Sequence, residues 1–123
     1  MNVLLVGCGG FLGAVLRYLI SCGIGKLFSG RFPLATLLIN IAGCFLIGFV
    51  TAVFINNKRA ALFFATGILG VFTTFSTFSL ETLQLWQNGD TLLAALNIFL
   101  SMIFGLLGVA AGKKLAALLL VQS

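Results

Sequence analysis

Histidine is missing from this chain of 123 residues, and Glu81 and Asp90 are its only acids. Without an imidazole, Ser–His hydrolysis and His-based acid–base chemistry lack their central part, and catalytic zinc loses its commonest ligand. Cysteine is scarce too. Cys8, Cys22 and Cys44 are an odd number with no metal-like spacing, and each lies in an apolar run, where a thiol behaves as a small hydrophobe. Proline occurs once, as Pro33. Charged residues of both signs make up 7% of the chain, against roughly 25% in soluble domains. These absences argue against a soluble fold and against an enzyme, since no catalytic acid–base set can be assembled.

What remains is apolar. Hydrophobic residues make up 61% of the chain, which reads as an all-α integral membrane protein forming one domain. The length suits four spans of ~20 residues each. They are expected at about 2–25, 33–55, 60–86 and 91–112. Residues 26–32 form a short loop, and Pro33 opens the second span as a first-turn proline can. Asn56–Arg59 and Gln87–Asp90 are polar turns, and Lys113, Lys114 and a short apolar tail follow the fourth span. The first run has no basic segment before it and is dense in glycine, so it reads as a retained span and not a cleaved signal.

The net charge of +5 is dispersed among the spans, which points to topology and lipid headgroups and not to nucleic acid. Four spans put both termini on one side, with Lys58, Arg59, Lys113 and Lys114. Lys26 and Arg31 are opposite, joined by Arg17 if its side chain snorkels there. This bias is weak. Taken alone it favours a termini-inside protein over a chain that inserts both ways and assembles antiparallel.

One stretch stands out. Gly67–Glu81 reads GILGVFTTFSTFSLE and lies inside an apolar run. Gly67 and Gly70 weaken the helix, and Thr73, Thr74, Ser76, Thr77 and Ser79 then place five hydroxyls within seven residues. A bilayer offers no water to freed backbone groups, so a helix broken there must be buried in protein or line a cavity. Broken spans near the midplane are where transporters hold ions and substrates. Phe75 and Phe78, three apart, share a face within this stretch, and an aromatic edge carries partial positive charge.

Other spans carry polar stripes. Thr36, Asn40 and Gly43 lie on one face of the second span, and Asn97 and Ser101 are one turn apart on the fourth, ahead of Gly105, Gly108 and Gly112. Each stripe suits interhelical hydrogen bonding as well as a pathway lining. Gly9 and Gly13 in the first span have the spacing of a close helix contact. Arg17 is a cation in an apolar run, placed either to snorkel or to draw anions to a mouth. Glu81 is the one acid inside a span, suited to pairing with a cation or to proton coupling, and it sits nearer a vestibule than the break.

Three segments, GCGGFLGAVLRY at 7–18, TLLINIAGCFLIG at 36–48 and GILGVFTTFSTFSLE at 67–81, resemble the Fluc (CrcB) fluoride channel family. The resemblance covers the whole chain. It implies a dual-topology homodimer whose two subunits lie antiparallel in a bacterial inner membrane, with two fluoride pathways near the interface. It reverses the orientation that charge alone favours. It assigns Asn40, Phe75, Ser76, Thr77 and Phe78 to the pathway, which Thr36 and Ser101 join by their spacing on the polar stripes, and it matches Arg17 and Glu81, placed as vestibule charge. Asn97 matches a position where some members carry an aromatic hydroxyl. A structural sodium ion between the subunits is implied on the backbone carbonyls of Gly70 and Thr73. The implied task is passive export of fluoride that enters acidified cells as neutral HF. A proton-coupled small multidrug-type transporter has the same size and topology, but that class relies on an acid in the first span, where this chain has Arg17. A non-transporting assembly protein would suit the glycine faces but not the hydroxyl-rich break.

Overall fold

A computed structural model describes residues 1–121. They are helical throughout, without strands: α1 (Asn2–Leu27), α2 (Leu34–Val53), α3 (58–72), α4 (Phe75–Gln87) and α5 (Thr91–Val121). Four spans, Asn2–Leu27, Leu34–Val53, Lys58–Gln87 and Thr91–Val121, are long and apolar enough to cross a membrane. The third consists of α3 and α4, so it is broken as expected. Large apolar side chains such as Phe11, Leu106 and Leu107 point outward, as lipid demands. The interior is small and centres on Ile39, Leu69 and Phe72.

Glycine sets the two tightest helix contacts. Gly9 and Gly13 are buried, and a methyl group at either would run into the backbone of α3, at the Phe63 and Ile68 carbonyls respectively. The part of α3 they touch, Leu62–Leu69, is wound as a π-helix, a wider coil that occurs often near functional sites. On the other side of the molecule, Gly48 meets Val109, while Gly112 lies against Phe45 and Phe49. Gly108 meets Ile41 and Phe45, and Gly112, one turn on, meets Phe45 and Phe49, so the contact advances in the same direction along both helices and α2 and α5 run parallel, as alternate spans must.

The ends show where sequence pattern and structure differ. Pro33 is the cap of α2 and not its first residue, and its carbonyl accepts the Leu37 N–H at 3.1 Å. Helix α5 does not stop at Gly112 but continues through Lys113 and Lys114 to Val121. Gly112 is packed against α2 and cannot act as a terminator, and the Lys, Ala and Leu residues beyond it are strong helix formers. At 1.5 Å per residue this helix is about 46 Å long, so it outreaches a hydrocarbon core of roughly 30 Å. At the opposite end Gly89, with φ of +84°, closes the turn between α4 and α5. Arg31 from the α1–α2 loop reaches Asp90 in that turn at 3.2 Å.

Candidate ion pathway at the helix break

Helix α3 ends at Phe72, and Thr73 and Thr74 are both extended before α4 starts at Phe75. Thr73 is held by its neighbour below: its N–H and its hydroxyl both donate to the Leu69 carbonyl, at 3.2 and 3.0 Å. Gly43 makes room for it, since a methyl there would collide with the Thr73 side chain. Thr74 is clamped from α2. Its N–H donates to Asn40 Oδ1 at 2.8 Å, and Asn40 Nδ2 donates to its carbonyl at 3.2 Å. Thr74 also caps α4. Its Oγ1 accepts the Thr77 N–H at 3.3 Å and donates to Thr77 Oγ1 at 2.8 Å. That uses its only proton, so Ser76, 3.5 Å away, is the donor in the third contact.

These bonds free two carbonyls. In an unbroken helix the Thr74 N–H would serve Gly70 and the Thr77 N–H would serve Thr73. Here side-chain oxygens of Asn40 and Thr74 take both donors. The break therefore turns the negative end of α3 and the positive end of α4 toward one another's surroundings, one suited to a cation and the other to an anion. No group of three or more His, Cys, Asp or Glu side chains is placed to hold a metal among the described residues. The freed carbonyls are hard oxygen donors, which fit an alkali cation.

Beside the break lies a cavity of about 270 Å³, walled by Asn40, Gly43, Cys44, Thr73, Thr74, Phe75, Phe78 and Ser101 among others. Its wall carries hydroxyls, an amide and aromatic rings beside the apolar side chains of Ile47 and Met102, with no charged side chain. The Phe75 and Phe78 ring centres are 5.7 Å apart at an interplanar angle of 41°. Phe78 is buried, whereas Phe75 is 74% exposed. Ser101 Oγ is buried without a hydrogen-bond partner among the described residues.

A wider cavity of about 560 Å³ opens at the loop end, between Arg31, Glu81, Gln84 and Asp90. Thr36 donates to Glu81 Oε1 at 2.9 Å, and Glu81 Oε2 is buried with no partner among the described residues. The stripe on α2 thus meets the second half of the third span along its length.

Most of the residues singled out in the sequence come together. Asn40, Thr73, Phe75, Phe78 and Ser101 surround one cavity, and Glu81, on the wall of the other, accepts a hydrogen bond from Thr36. Ser76 and Thr77 are tied to Thr74 and are not on the cavity wall. Gly70 is helical, three residues before the break. Arg17 is half-buried on α1 and forms no ion pair with Glu81. Asn97 is buried between α4 and α5, off the wall, and donates to Thr82. Two features escaped sequence reading. Thr74 was one hydroxyl among five, although a Thr directly before a helical run is a recognisable cap. The Arg31–Asp90 pair spans 59 residues and leaves no local signal.

The model of the family described as CrcB-like protein, Camphor Resistance (CrcB), matches residues 4–113. The chain belongs to the CrcB family. The match runs from α1 to Lys113 and takes in both halves of the broken span. CrcB relatives are close over nearly their whole length. A protein of Ruminiclostridium cellulolyticum named fluoride-specific ion channel FluC is 53% identical over 120 residues, covering 94% of this chain and 92% of its own. Proteins with the same name from Clostridium novyi and Elusimicrobium minutum are 47% and 44% identical, over 118 and 117 residues. They cover 89% and 94% of this chain, and 92% and 94% of their own lengths.

Proposed function

We propose that this CrcB-family protein is a passive, fluoride-selective channel of the bacterial inner membrane that lets cytoplasmic fluoride leave down its electrochemical gradient. The relatives' names speak for a channel and against the proton-coupled transporter. The observation that carries the reading is the uncharged, donor-bearing cavity at the break. Fluoride is small and strongly hydrated, so the path must replace its water with closely placed donors. Asn40 spends one amide N–H on Thr74 and keeps a second. The Ser101 hydroxyl is uncommitted. The edges of Phe75 and Phe78 add partial positive charge without a full cation, which would hold the ion too long for conduction. Chloride is excluded by width.

The working unit in this reading is an antiparallel homodimer. The 74% exposure of Phe75, a wall residue, supports a second subunit that covers it. A two-fold axis in the membrane plane would bring the two breaks together, with the Gly70 and Thr73 carbonyls of each subunit facing a shared centre. Those carbonyls, released by Asn40 and Thr74, would hold the sodium ion. Bound there, the ion would supply a fixed positive charge between those carbonyls. At the mouths, Arg17 supplies positive charge and Glu81, held by Thr36, faces the vestibule.

Purified protein in liposomes tests the reading. Rapid fluoride release with chloride retained is the expected result. A folded dimer that releases no fluoride overturns it.

A further inference from the structure

Asn97 is the most deeply buried polar residue among those described, at 1% exposure. Its Nδ2 donates to Thr82 Oγ1 at 2.8 Å, and Thr82 Oγ1 donates to the Phe78 carbonyl at 2.7 Å. The direction of this chain is fixed by proton count. A carbonyl only accepts, so the single hydroxyl proton of Thr82 is committed to Phe78. Asn97 must therefore present its N–H, leaving its Oδ1 without a partner among the described residues.

Such an arrangement is a poor way to gain stability. A buried amide oxygen left unpaired is costly, and an apolar pair of similar shape would fill the seam without that cost. What the polar pair adds is direction. Thr82 bonds back to the carbonyl four residues earlier, a contact of the kind that often bends a helix, and Asn97 ties this point of α4 to α5. The carbonyl concerned belongs to Phe78, whose ring lies on the cavity wall. Ser101, also on that wall, lies one turn beyond Asn97 on α5. The anchor therefore joins the two helices one turn from where Phe78 and Ser101 flank the cavity.

We propose that Asn97 and Thr82 are positioning residues that set the separation of Phe78 from Ser101 and thereby the width on which fluoride is separated from chloride. The inference rests on the channel reading above. Neither residue touches the ion. They act through Phe78.

The test uses Thr82→Val and Asn97→Leu, which remove the hydrogen bonds while keeping the number of side-chain heavy atoms, their double variant, and Thr82→Ser, which keeps the hydroxyl. Each purified dimer is placed in liposomes beside the wild type, and fluoride and chloride release are both recorded. Thr82→Val and Asn97→Leu should each lower the fluoride-to-chloride ratio by about threefold to tenfold, the worth of one hydrogen bond. The double variant should be no worse than the poorer single one, because both break one chain. Thr82→Ser should behave as wild type. A role in folding alone would lower dimer yield or melting temperature without admitting chloride. If Thr82→Val does not form a dimer, Thr82→Cys, with a weak donor in a similar volume, takes its place. Wild-type release with unchanged ratios in the single variants, or additive losses in the double one, overturns the inference alone. No fluoride release from the wild type overturns the channel reading and this inference with it.

Discussion

Asn40 on α2 and Thr74 in the break of the third span, 34 residues apart, exchange two hydrogen bonds, one in each direction between a side-chain amide and a backbone peptide. The amide of Asn40 does for Thr74 what a neighbouring turn of helix would otherwise do. This is why the third span can break where no water is at hand. Asn40→Leu would strand a donor and an acceptor of Thr74, at about 1–3 kcal/mol for each unsatisfied group. The variant should melt well below the wild type. Asn40→Asp keeps the acceptor for Thr74 N–H but puts negative charge on the cavity wall, so its fluoride flux should fall by more than its melting temperature suggests. Flux and melting measured on both variants separate the clamp from the lining.

Phe75 and Phe78 share a wall but differ in burial, and the two substitutions should differ accordingly. Phe78→Ile alters a buried side chain and should cost under about 3 kcal/mol, since the full truncation to Ala costs 3–5. Phe75→Ile changes a side chain that the subunit leaves exposed, and should barely move the subunit's own stability. Both should impair fluoride release. Full flux in both variants, measured in liposomes, would remove the rings from the permeation path.

Gly13→Ala tests the contact between α1 and the π-helical part of α3. The added methyl would meet the backbone carbonyl of Ile68, which cannot rotate aside as a side chain can. Overpacking of this kind costs about 1–3 kcal/mol. Gly7→Ala, on the same helix with open space around it, should cost nothing and gain up to about 1 kcal/mol from helix propensity. Thermal melting of the two variants side by side checks the difference.

The break and the stripe that serves it were legible because both rest on composition and spacing. A dense run of hydroxyls in an apolar segment needs burial, and Thr36 and Asn40, four apart, must share a face. Where the hydroxyls bond was not legible. Thr74 took the capping and clamping roles, and Ser76 and Thr77 became its partners instead of wall residues. The π-helical segment was hidden as well, because eight residues are too few to tell its period from that of an α-helix. Asn97 and Ser101 share a helix face, yet one is sealed in a seam and the other reaches a cavity. That difference depends on Thr82, fifteen residues from Asn97, and no spacing rule could supply it.

The Arg31–Asp90 pair yields the last prediction. It stands at the rim of the wider cavity, with Arg31 largely exposed and Asp90 mostly covered. An exposed ion pair of this kind contributes less than about 1 kcal/mol, so neither Asp90→Asn nor Arg31→Gln should shift the melting temperature appreciably. Their effect belongs to the mouth. Asp90→Asn removes the negative partner and leaves Arg31 to draw anions toward the vestibule, so fluoride flux at low fluoride concentration should rise. Arg31→Gln leaves Asp90 unopposed there, and flux should fall. Both effects are electrostatic at a solvent-exposed site, so they should shrink as ionic strength rises and the screening length shortens from about 10 Å at 0.1 M to 3 Å at 1 M. Fluoride flux measured for the two variants at low and high salt decides the matter. Changes that persist at high salt would mean that the pair shapes the cavity and does not merely charge it.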